Sequence, residues 1–94
     1  MPVILVMRNT IKDPEGYERY HEVAGPPPAN ARIVARGPES DIKGEKGATR
    51  TAILEFANEA DFHAWYDNPP YSDARKIRDA AADCECFLVD SLLK

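Results

Sequence analysis

Two charged residues on neighbouring predicted strands, Arg36 and Glu55, have the chemistry to hold an organic anion and move a proton. A guanidinium presents a planar fork of donors to a carboxylate or enolate, and a carboxylate beside it can accept or position the proton. The same pair also reads as an interstrand salt bridge that secures strand pairing or a subunit interface, since buried charges persist where they are paired. His21 is a second candidate base, because imidazole changes charge near physiological pH; it reads first as a solvated or helix-flanking residue.

Around the break at Pro69-Pro70 stand Trp65, Tyr66 and Tyr71, with Arg75 and Arg78 beyond. Trp65 reads first as core packing. A buried tyrosine hydroxyl needs a partner, which suits Tyr66 and Tyr71 to the edge of a polar pocket. Arg75 and Arg78 lie one helical step apart, so both can face an anionic ligand, or both can be solvated on an amphipathic helix. His63 falls on the outer side of its helix. The candidate catalytic residues are thus Glu55 and His21, and the candidate substrate-binding residues are Arg36, Trp65, Tyr66, Tyr71, Arg75 and Arg78.

The two cysteines, Cys84 and Cys86, share one face of a strand, where a bridge requires distorted geometry. Two free, packed thiols in a reducing cytoplasm are expected. Cys-x-Cys supplies only two ligands and neither histidine is near in sequence, so no metal is expected. No Gly-x-Gly-x-x-Gly, Gly-x-Ser-x-Gly or phosphate-binding loop occurs, and no cofactor is expected.

The elements that position these residues follow from local pattern. Pro2 to Arg8 reads as a central strand buried on both faces or nearly so. Asp13-Pro14-Glu15 starts a helix, with Asp13 as N-cap and Pro14 where its missing N–H costs nothing, and Tyr17, Tyr20 and Ala24 form its packing face. Gly25 to Pro28 interrupts it. Strand Arg32–Arg36 alternates, with Ile33 and Ala35 on one face and Arg32, Val34 and Arg36 on the other. Residues 37–49 read as a solvated, mobile hairpin connection. Strand Thr51–Phe56 points Ala52, Leu54 and Phe56 one way and Thr51, Ile53 and Glu55 the other. Asn58 to Asp61 resembles a capping box for a helix with face Phe62, Trp65 and Tyr66. Pro69-Pro70 ends it, Tyr71, Ala74, Ile77, Arg78 and Ala81 outline another, and Cys84–Leu93 is a closing strand.

This order is the βαββαβ pattern of a ferredoxin-like α+β fold, with a four-stranded antiparallel sheet carrying its helices on one face. The other face, with Val34 and Ile53, needs cover, and a second copy packing sheet to sheet would supply it. At 94 residues the chain is read as one domain over 1–94 that buries only about 60 to 65% of its unfolded surface, so a homodimer helps its stability. The balance of 44% hydrophobic and 30% charged residues argues against disorder. A net charge of -4 without a basic cluster argues against nucleic acid. The longest apolar run, Val3 to Met7, is too short to span a membrane and lacks a leader's flanks, so the protein is expected in the cytoplasm.

Several stretches together resemble the family called domain of unknown function 1330. They are Asp13-Pro14-Glu15-Gly16-Tyr17, Arg36-Gly37, Ile53-Leu54-Glu55-Phe56, and Ala64-Trp65-Tyr66-Asp67-Asn68-Pro69-Pro70-Tyr71 with Arg75 and Arg78. The similarity runs over nearly the whole chain. It departs before the second strand, where family members often have a Gly-Gly turn and this chain has Asn30-Ala31-Arg32 after three prolines. The resemblance implies a dimeric α+β barrel. That superfamily also holds cofactor-independent monooxygenases, haem-degrading enzymes, lactone isomerases and relatives of chlorite dismutase, and implies no single reaction. Three functions remain open from sequence: a cofactor-independent monooxygenase or isomerase acting on a small, acidic organic molecule, a non-catalytic small-molecule binding dimer, and a structural dimer without ligand.

Overall fold

The computed structural model describes residues 1–44 and 47–92. Its elements run β1 (Val3–Ile11), α1 (Pro14–Ala24), β2 (Ala31–Gly37), β3 (Arg50–Phe56), α2 (Glu59–Tyr66), α3 (Tyr71–Ala81) and β4 (Ala82–Asp90). The strands form one antiparallel sheet in the order β2-β3-β1-β4, which is the ferredoxin-like arrangement expected from the element order. Leu93 of the predicted closing strand lies outside the described residues, as do residues 45 and 46 of the hairpin connection.

Period-two alternation decides which face of the sheet is core. Val3, Leu5, Met7 and Asn9 of β1 are buried with Leu54 and Phe56 of β3, beneath Phe62 of α2. Tyr17 and Tyr20 of α1 pack with Tyr71, Ala74 and Ala81 of α3 in an adjoining cluster. The opposite residues of β1, Ile4, Val6 and Arg8, are only half-buried. Burial of β1 on both faces, expected from its unbroken aliphatic run, is therefore not met within one chain. The molecule is 16 Å across its thinnest extent, which admits one helical layer on one sheet and leaves the second face bare. Phe87 and Val89 of β4, opposite Val6 and Ile4 on that face, are 48% and 46% exposed.

Helix starts behave as their residue types dictate. Asn58 accepts a hydrogen bond from the Asp61 backbone N–H at 2.7 Å, the capping arrangement read from sequence. Asp13 is the N-cap of α1 with Pro14 in the first turn, but its side chain makes no cap bond. The backbone N–H groups of Lys12 and Asp13 instead both donate to the Ala81 carbonyl at 2.9 Å, tying the start of α1 to the end of α3. Gly16 makes this approach possible, because a Cβ there would sit 3.0 Å from the Ala81 Cβ and 2.6 Å from Asp13 Oδ2.

Strand β2 departs from its simple alternation. Arg32 pairs with Glu55 and Ile33 with Leu54, but then Ala35 pairs with Ile53 and Arg36 with Ala52, so the register shifts by a bulge at Val34. One extra residue reverses the facing of everything beyond it. Ile33 and Arg36 consequently share the helix-side face with Leu54 and Ala52, while Arg32 lies on the open face beside Glu55. The expected common face for Arg32, Val34 and Arg36 is thereby corrected.

The connection after β2 is anchored by Glu39, whose carboxylate accepts Arg8 Nε at 2.7 Å, Arg8 Nη2 at 2.9 Å, the Ala48 backbone N–H at 3.0 Å and the Thr51 hydroxyl. These bonds, led by that from Arg8, hold the Glu39 carboxyl down to about 2 from its ordinary 4.5. A carboxylate of lowered folded pKa stabilises above its unfolded pKa, and that stabilisation is lost as pH falls through the folded value. The melting temperature of Glu39→Gln should therefore lie below that of the parent at pH 6, and the gap should close between about pH 4.5 and 2. A pH series of thermal melts on the two proteins measures this directly.

Candidate functional site

The helix-side face of β1, β2 and β3 does not meet the helices everywhere. Between them lies a cavity of about 110 Å³, lined by Met7, Tyr17, Tyr20, His21, Ala24, Pro27, Ile33, Arg36, Arg50, Ala52, Leu54, Trp65 and Tyr71. Burial separates its parts. Met7, Tyr20, Leu54 and Tyr71 are buried and form the floor, whereas His21 and Arg36 are exposed and Arg50 is half-buried at the mouth. The volume is on the scale of a cavity that holds a single ring, roughly 150 Å³ for benzene.

The floor is a bonded cluster of polar aromatics. The Tyr20 and Tyr71 hydroxyls lie 2.6 Å apart, and Tyr71 donates to the Met7 sulfur at 3.3 Å. Behind them Arg78, 4% exposed, donates from Nη1 to the Tyr71 hydroxyl at 3.2 Å and from Nη2 to the Tyr66 hydroxyl at 3.3 Å. Its carboxylate partner is Asp79, at 3.0 Å. Burial, the largest influence on both phenols, raises Tyr20 strongly and pushes Tyr71 up to about 12, so both remain protonated donors. Trp65 completes the wall, its ring centroid 4.0 Å from that of Tyr71 and 5.5 Å from that of Phe56.

Among the described residues the charges that line the mouth are of one sign. His21 stands against the rings of Tyr17 and Tyr20 at 4.9 and 5.0 Å. Burial first, then the positive charges of Arg50 and Arg36, lower its pKa below the ordinary 6.5. The imidazole is thus neutral at pH 7 and available as a base, beside two guanidiniums that attract an anion. Among the described residues no three His, Cys, Asp or Glu side chains come together as metal ligands.

The sequence candidates divide into three groups. His21, Arg36, Trp65 and Tyr71 converge on this cavity. Tyr66, Arg75 and Arg78 form a layer behind it: Arg75 lies 4.3 Å over the Tyr66 ring and 3.9 Å from Asp67, and Arg78 is buried rather than solvated. Glu55 is on the other side of the sheet, where Arg32 Nη2 donates to it at 2.7 Å and the Ser91 hydroxyl at 2.6 Å. The expected pairing of Arg36 with Glu55 is replaced by Arg32 with Glu55. His63 is on the outer helix surface, 2.9 Å from Asp67.

Arg50 was missed, although its signal is simple. It is two residues before Ala52 and four before Leu54, so extending β3 by one residue places it on the core-side face. Asn9 was missed for the same reason at the end of β1; it is 1% exposed and donates to the Tyr17 hydroxyl at 3.2 Å.

The fold and pocket define a ferredoxin-like α+β protein with its cavity between helices and sheet. The chain belongs to the family described as Domain of unknown function (DUF1330), whose model matches residues 2–92. It is similar in structure to a protein of unknown function from Rhodopseudomonas palustris, with TM-score 0.77 and 21% identity over 99% of this chain and 84% of that one. A dimeric ferredoxin-like protein of unknown function from Thermobifida fusca matches with TM-score 0.67 and 16% identity, covering 97% and 92%. SnoaB, a cofactor-independent oxygenase from Streptomyces nogalater, matches with TM-score 0.64 and 15% identity, covering 99% and 95%. At these identities the likeness is one of fold. No curated protein matches the chain significantly. Among the described residues no helix is long and apolar enough to cross a membrane.

The electrostatics of the mouth are open to direct measurement. In an NMR titration the His21 ring should change protonation below pH 6.5, and replacing Arg36 and Arg50 together by Gln should move the midpoint upward. The shift should be partial, because burial contributes most.

Proposed function

We propose that each chain binds a small organic anion with an unsaturated or aromatic body in the helix-side cavity and removes a proton from it. The observation that carries this reading is the convergence of a neutral His21 with Arg36 and Arg50 at the mouth of a cavity floored by aromatic hydroxyls. The apolar body is seated against Trp65, Met7 and Leu54, and the anionic group is paired with the two guanidiniums. His21 takes a proton from the carbon next to a carbonyl, and the positive charges at the mouth favour the enolate that forms. Reprotonation at another atom is an isomerisation. Passage of an electron from the same enolate to dioxygen begins a cofactor-independent oxygenation, and the oxygenase among the structural neighbours supports that branch as an analogy of fold. Glu55 has no part in this chemistry and pairs with Arg32 across the strands.

Phenylpyruvate, an enolisable aromatic acid, is a suitable probe. In deuterium oxide the protein should accelerate exchange at its benzylic carbon, His21→Gln should slow that exchange about a hundredfold, and binding followed by NMR should persist. Arg36→Ala should weaken binding about tenfold. Exchange undiminished in His21→Gln would remove His21 as the base, and a parent no faster than buffer alone would leave the pocket as a binding site without chemistry.

The bare sheet face supports a homodimer, as does the dimeric state of the Thermobifida fusca neighbour. Two such faces packed about 10 Å apart bury Phe87 and Val89. Phe87→Lys places a charge there and should raise the dimer dissociation constant at least about tenfold in sedimentation equilibrium.

A further inference from the structure

A second group of reactive side chains lies away from the cavity, on the edge strand β4. Cys84 and Cys86 are free, and their sulfurs are 3.3 Å apart. They pair in register with Asn9 and Met7, so both stand on the helix-side face, which a sheet-to-sheet partner leaves uncovered. Cys86 is exposed and Cys84 half-buried. Beside Cys86 runs a shallow apolar groove lined by Leu5, Phe62, Tyr66 and Leu88.

We propose that Cys84 and Cys86 form a thiol–disulfide exchange site for small organic disulfides, with Cys86 as the attacking sulfur and Cys84 as the resolving one. In the first step the Cys86 thiolate attacks one sulfur of the disulfide R–S–S–R. The S–S bond of the reagent breaks as a Cys86–S–S–R mixed disulfide forms, and the other half leaves as the thiolate R–S⁻. Cys84 then loses its proton to the departing thiolate and attacks the Cys86 sulfur, releasing the second R–S⁻, which takes a proton from water. The protein dithiol is oxidised to a Cys84–Cys86 disulfide and the small disulfide is reduced to two thiols.

The surroundings support these roles. Cys84 hydrogen bonds to Cys86 and is the main influence that holds the Cys86 thiol down to about 6; the Arg78 charge and the Tyr66 hydroxyl act in the same direction, against burial and Asp79. Cys84 is pushed upward by the same bond and by burial. Cys86, lowered and exposed, is thus the nucleophile, and Cys84, raised and half-buried, is the resolving thiol. Along an extended strand the two Cα atoms are about 6.6 to 6.8 Å apart, at the upper edge of the roughly 4.4 to 6.8 Å that a disulfide spans. Strand β4 has a neighbour on one side only, so it can contract locally to close the bridge. The groove accommodates the organic portion of a disulfide, which hydrogen peroxide lacks.

The reduced protein is treated anaerobically with hydroxyethyl disulfide at pH 6, where a thiol of ordinary acidity is almost wholly protonated, and followed by intact mass. The parent should lose two hydrogens and release two equivalents of mercaptoethanol. Cys84→Ser should stop as a single mixed disulfide, mapped to Cys86, and Cys86→Ser should react about tenfold more slowly. Circular dichroism of each serine variant confirms the fold before reaction. Equal rates for the two serine variants, or a parent that accumulates two independent adducts, would overturn the assignment.

Discussion

A guanidinium that is almost fully buried must be solvated by protein, and two tyrosine hydroxyls and a methionine sulfur in the interior of this molecule are arranged to do so. Arg78 has one carboxylate, Asp79, and that group is itself largely exposed. The remaining donors meet the hydroxyls of Tyr66 and Tyr71 and the sulfur of Met7. Through Tyr71 the cluster reaches Tyr20, so α1, α2, α3 and β1 are held by one charge. Leaving such a cation unpaired costs several kcal/mol, on the order of 3 to 5 for a broken buried pair, and this penalty selects one arrangement of the tyrosines over its competitors.

That arrangement shapes both proposed sites. On one side of Arg78 the fixed hydroxyls of Tyr20 and Tyr71 form the floor of the cavity. On the other, Tyr66 and the Arg78 charge face the cysteines of β4. The two regions share a positive background but differ in what they present to solvent: an imidazole with two arginines at one mouth, a thiol pair on the other edge. Neither uses the open sheet face.

The bulge in β2 has an equal influence on chemistry at far smaller structural scale. By turning Arg36 toward the helices and leaving Arg32 outside, it divides two arginines that plain alternation would have placed together. Glu55 then has its partner on the open face, and the described residues that line the cavity mouth bring positive charge and no carboxylate. A carboxylate on the cavity side would have cancelled the attraction for an organic anion and raised the pKa of His21.

The sequence by itself determined the element order, the ferredoxin-like topology, the family and the helix starts. These depend on short-range features: the alternation of Val3, Leu5 and Met7, the Asn58 cap, Pro14 at the first turn and the Pro69-Pro70 break. It also marked His21, Arg36, Trp65 and Tyr71, four of the residues that meet in the cavity. Only the tertiary structure decided which arginine faces which way, that Arg78 is buried, that Arg50 joins the site, and that Glu55 leaves it. The physical reason is that facing beyond a bulge depends on pairing with another strand, and burial of a charge depends on hydroxyls 7 and 12 positions away and a sulfur 71 positions away in the chain. Neither quantity has a signature in the local spacing of residues.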